Sequence, residues 1–64
     1  MNDEILRYLS KKIQDELAVM KDDMALGNAK DFGAYQFACG VVRGLLVANN
    51  FIIELAERME TDND

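Results

Sequence analysis

The stretch from Asp31 to Met59, DFGAYQFACGVVRGLLVANNFIIELAERM, constrains the fold more than any other part of the chain. Ala34, Ala38, Val41, Leu45, Ala48, Ile52, Leu55 and Met59 succeed one another in alternating steps of four and three. That is a heptad seam, the pattern of a helix packed lengthwise on another helix. A second stripe, Gly33, Phe37, Gly40, Gly44, Val47 and Phe51, lies beside it, and a third runs Tyr35, Cys39, Val42, Leu46, Asn49 and Ile53. Gln36, Arg43, Asn50, Glu54 and Glu57 form the narrow polar strip that remains. A surface helix has one apolar stripe. A helix with nearly three needs cover on most sides.

Length decides what that cover is. A chain of 64 residues makes a single small core, and such cores rarely give more than about 3–5 kcal/mol without a disulfide, a metal or assembly. One cysteine and no histidine leave neither an internal disulfide nor a zinc site. Assembly is the remaining device. The absence of proline suits helices, and the formal charge of −5 disfavours non-specific binding to phosphate backbones. A bilayer span needs about 20 predominantly apolar residues, and Arg43, Asn49, Asn50 and Glu54 interrupt this one. Asp3 and Glu4 stand where a signal peptide carries its basic start. The expectation is a soluble protein with no membrane contact.

The first helix reads as ordinary. Ile5, Leu6, Leu9, Ile13, Leu17, Met20 and Met24 make one stripe, with Ser10 where an apolar residue would extend it. Arg7, Lys11, Lys12, Asp15, Asp22 and Asp23 make a wet face, with Lys11 and Asp15 at attractive i,i+4 spacing. Asn2 or Asp3 caps its start, and Gly27 stops it in the left-handed conformation that glycine takes without a Cβ clash. Asn28 or Asp31 caps the second helix. A connection this short makes the two helices antiparallel neighbours. The fold class is therefore all-α: an antiparallel two-helix hairpin, about 3–26 and 31–59, assembling into an oligomeric helical bundle. Residues 1–59 form the hairpin, and 60–64 form an acidic, mobile tail with nothing to pack.

Gly40 and Gly44, with Gly33 a heptad earlier, need a reason, because each interior glycine costs a helix about 1 kcal/mol relative to alanine. Close approach of another helix supplies one. That helix is either the chain's own first helix or a second protomer, and a ligand or peptide approaching the backbone is the remaining alternative. Phe37, Val47 and Phe51 flank the glycines as knobs around a dip. The expected protein interface is Phe37, Gly40, Gly44, Val47 and Phe51, with Leu46 and Ile53. Arg43 is read as a side chain snorkelling to water along the polar strip. Asn49 is either solvated or a register-setting polar group within an interhelical seam. Cys39 is a small hydrophobe without a histidine to activate it. No catalytic, cofactor-binding or metal residues are expected.

Ala29-Lys30-Asp31-Phe32, then Tyr35, then Cys39-Gly40-Val41-Val42-Arg43-Gly44-Leu45, resembles a pattern in very short helical proteins of tailed bacteriophages. The resemblance covers roughly residues 29–58 and carries no functional residue. It implies a phage gene product, a small virion structural or assembly component. On this reading the chain is non-enzymatic and self-associating, acts through protein–protein contacts, and resides in the host cytoplasm and in the virion. Two alternatives stand beside it. One is an adaptor or inhibitor that lays its apolar second helix in a groove of a host protein. The other is an RNA-binding hairpin dimer using Arg7, Lys11 and Lys12.

Overall fold

The chain is an antiparallel pair of helices in a computed structural model that describes residues 2–62. Helix α1 spans Asn2–Ala25 and helix α2 spans Phe32–Asp62. There is no strand among the described residues. The molecule measures 50 × 15 × 12 Å. Its radius of gyration is 14.9 Å, against about 11 Å for a compact domain of this length. A lone hairpin is a rod, and rods bury little.

The turn forms where the local chemistry demands it. Gly27 has φ 73°, in the left-handed region. The Asn28 amide donates to the Asp23 carbonyl at 3.2 Å, and the Gly27 amide donates to the Met24 carbonyl at 3.1 Å. These are the paired bonds of a Schellman ending, with Gly27 at its C′ position. Asp31 then caps α2, its carboxylate accepting from the Ala34 amide at 2.8 Å.

Three expectations need correction. First, α1 begins at Asn2, so Asp3 is already helical. Second, α2 continues through Asp62 rather than stopping at Met59. Glu60 is not without a partner, because the Arg7 guanidinium Nη2 donates to its Oε1 at 2.8 Å. Asn63 and Asp64, the rest of the expected tail, lie outside the described residues. Third, the heptad seam does not hold to its end. Leu55 is 46% exposed, while its neighbour Ala56 is buried to 1%. A straight helix at 3.6 residues per turn drifts about 20° per heptad from a 3.5-residue seam. Ala38 and Ala56 are eighteen residues apart, five whole turns of a straight helix, and both face α1. The contact line therefore passes from Ala38 through Val42, Leu45, Asn49 and Ile52 to Ala56, between the first and third stripes.

What lies along that line is small or polar. Leu17 and Ala56 are the buried apolar residues, and Ser10 and Asn49 are buried with them. Leu6, Ile13, Met20 and Met24 of α1 are half-buried against Val41, Leu45, Ile52 and Met59 of α2. No large side chain among the described residues is fully enclosed. Ser10 Oγ donates to Asn49 Oδ1 at 2.6 Å, and Gln14 Nε2 donates to Ser10 Oγ at 3.0 Å. Of its two expected states, Asn49 thus takes the buried, bonded one. Sliding one helix along the other would break the Ser10–Asn49 bond inside the contact, so that bond fixes the register.

Candidate interaction surface

The second stripe of α2 faces away from α1. Phe37 is 74% exposed, Phe51 65% and Val47 43%. Gly33, Gly40 and Gly44 are exposed too. A Cβ placed on Gly40 or Gly44 would meet nothing within 4 Å. Close approach of α1 is therefore not what these glycines serve in the hairpin. They form an open dip about one turn long on a smooth helical face. Phe37 stands roughly a turn before the dip, and Val47 and Phe51 roughly one and two turns after it.

The seven expected interface residues do not share one face. Phe37, Gly40, Gly44, Val47 and Phe51 fall on one flank of α2. Leu46 is exposed, about 160° round the helix from Gly44 and so on the opposite flank. Ile53 is half-buried and lines a shallow groove between the helices. The groove, about 250 Å³, is lined by Leu6, Arg7, Ser10, Lys11 and Gln14 of α1 and by Ile52, Ile53 and Ala56 of α2.

The basic cluster of α1 is already engaged. Arg7 bonds Glu60 at 2.8 Å and lies 3.7 Å from Asp3. The Glu60 carboxylate raises the Arg7 pKa, first by hydrogen bonding and then by charge. Lys11 Nζ reaches Asp15 Oδ1 at 2.6 Å, the expected i,i+4 pair. Lys12 stands 5.9 Å from the centre of the Tyr8 ring, at cation–π distance. A strand of phosphates would have to displace three carboxylates, those of Asp3, Glu60 and Asp15, to use this face.

The helix interior offers little chemistry. Cys39 is half-buried on the edge of the contact line. One turn earlier, Tyr35 is pushed up in pKa, chiefly by hydrogen bonding with the Cys39 thiol and then by its charge. Among the described residues no three Cys, Asp or Glu side chains are grouped to hold a metal ion. By length and composition alone, Phe32–Glu60 is sufficient to cross a membrane.

Reading residues one helix at a time missed the Ser10–Asn49 bond. The signal was a coincidence of two defects. Ser10 interrupts the apolar row of α1 and Asn49 that of α2, and folding the chain about residues 28–30 brings them to nearly the same height. No protein-family model, curated protein or solved structure matches this chain. The likeness to short phage proteins rests on the residues quoted for it.

Proposed function

We propose that this chain is a non-enzymatic helical hairpin that works by protein–protein contact, self-associating through α2 into a helical bundle. The observation that carries this reading is the bare flank of α2, with Phe37 and Phe51 held in water by a hairpin too thin to cover them. Exposed aromatic rings beside a backbone dip are costly for an isolated soluble chain and useful in an interface. The phage setting, as a small virion or assembly component, rests on the resemblance over residues 29–58 alone.

Two considerations support contact over chemistry or membrane insertion. The groove is smaller than the usual 300–1,000 Å³ of a ligand pocket, and the two cations that line it already hold carboxylates. A bilayer-spanning α2 would have to carry α1 with it or break from it. The charged length of α1 is fastened to α2 by the Ser10–Asn49 and Arg7–Glu60 bonds. Burying Lys11, Lys12, Asp15 and Glu16 in hydrocarbon would cost far more than the apolar face of α2 returns.

Light scattering on a sizing column, over a wide range of concentration, tests the reading. A fixed small oligomer is the expected result. A monomer at every concentration would remove self-association and leave the bare flank to a different protein.

A further inference from the structure

We propose that two copies of the chain pair through the Phe37–Phe51 flank, α2 against α2 and antiparallel, with Gly44 beside the two-fold axis. This rests on the self-association reading above and specifies its face and direction.

The first argument is area. The hairpin exposes 5070 Å². A compact monomer of 7.2 kDa exposes about 4,100 Å². The excess, about 1,000 Å², is of the order of the roughly 800 Å² that each partner buries in a standard stable interface. One more copy laid along the rod removes the surplus and turns two helices into four.

The second argument is spacing. An isologous contact requires that whatever one residue meets, its counterpart meets in return. Phe37 and Phe51 lie seven residues to either side of Gly44, two full turns away on nearly the same face. In an antiparallel pair centred on Gly44, Phe37 comes level with the partner's Phe51, and Gly40 comes nearly level with the partner's Val47. A knob then faces a dip twice over, and two glycine backbones meet at the axis where the helices are closest. The open space over Gly40 and Gly44 is the room this needs.

The third argument is charge. Asp3, Glu4, Glu54, Glu57 and Glu60 crowd the open end of the hairpin against Arg7 and Arg58. The loop end holds Lys21 and Lys30 against Asp22, Asp23 and Asp31, and is closer to neutral. A parallel pair would stack the two acidic ends on each other. The antiparallel pair sets each beside a loop end, and opposes the helix dipoles as well.

The test uses the full chain and its Gly44→Leu variant, measured by sedimentation and circular dichroism. Leucine is the better helix former and its Cβ meets nothing within 4 Å in the hairpin, so helix content should hold or rise. Two leucines forced together at the axis should weaken pairing at least about 100-fold, converting dimer to monomer. A variant that remains dimeric with unchanged affinity overturns the assigned face. A native chain that is monomeric at all concentrations overturns self-association itself, and a native trimer overturns the two-fold pairing. Direction is read separately from spin labels on Lys30→Cys in a Cys39→Ala background. The antiparallel pair places them roughly 40–45 Å apart, and a separation under about 20 Å means a parallel pair.

Discussion

The two flanks of α2 differ in what they are made of. The flank that α1 covers is lined by Ala38, Val42, Leu45, Asn49, Ile52 and Ala56, and its most buried members are an alanine and an asparagine. The flank left bare carries two phenylalanines and a valine around two glycines. Small residues and a buried hydrogen bond suit a contact that must be close and correctly aligned. Large rings suit a contact that must be strong, because burying one phenylalanine is worth about 1.5–3 kcal/mol. The hairpin therefore specifies its own register with one flank and leaves two phenylalanines uncovered on the other. If copies pair through the bare flank as proposed, folding and association should be strongly coupled, with thermal stability rising with protein concentration.

The largest expected effect comes from stripping the bare flank. Replacing Phe37 and Phe51 together with serine touches nothing that α1 packs against. If the hairpin stood alone, such exposed changes would alter its stability by no more than about 0.5 kcal/mol. If both rings are buried between copies, a dimer loses four of them, on the order of 6–12 kcal/mol of association energy. Sedimentation of the double variant should show only monomer, and its thermal transition should fall and lose its dependence on concentration. A transition that stays where the native one lies would mean the rings are not buried in the assembled protein, and the contrast between the flanks would lose its meaning.

How much of this could be read from the residues depends on how local each feature is. The loop was legible because Gly27 and Asp31 act on backbone groups within a few positions of themselves. The helical hairpin was legible because two long apolar periodicities separated by a short loop have few other solutions. The phase of α2 was not. Three adjacent stripes made every rotation about the axis look equally apolar, and steps of 3.5 and 3.6 residues diverge only after several turns. Small residues decided the matter, since Ala56 and Ser10 let the backbones approach where Leu55 would hold them apart. Which glycine contact was meant also lay beyond the chain's own pattern. Close packing on α1 and close packing on a copy require the same spacing, and only the exposure of Gly40 and Gly44 separates them.

The covered flank can be probed through its one buried polar pair. Ser10→Ala removes the donor to Asn49 and leaves a buried amide oxygen without it, at a cost of about 1–3 kcal/mol. Asn49→Leu alone strands the Ser10 hydroxyl less severely, because Gln14 still donates to it. The double change should recover most of the loss, and a chain carrying both should melt at or above the temperature of Ser10→Ala. Its cost should appear in alignment instead of stability. With the bond gone, a line of small residues permits more than one register, and amide spectra of the double variant should broaden or split along α1. A double variant with sharp single resonances would show that apolar packing alone holds the register, and that the flank's polar residues do not set it.

The smallest effect lies at the open end, where Arg7 ties Glu60 to α1. Both side chains are about half exposed, so the pair is largely screened and adds little to stability. Glu60→Gln should lower the melting temperature only slightly, and the difference should shrink in high salt, which screens exposed charges. The informative readout is local. Hydrogen exchange at the amides of the last turn of α2 should speed up in Glu60→Gln while the rest of the helix stays protected. If those amides exchange equally fast in the native chain, the ion pair does not hold the end. The last turn of α2 would then be maintained by Met59 and Ala56 against α1, and the contrast between a register-setting flank and an associating flank would extend to the end of the helix without electrostatic help.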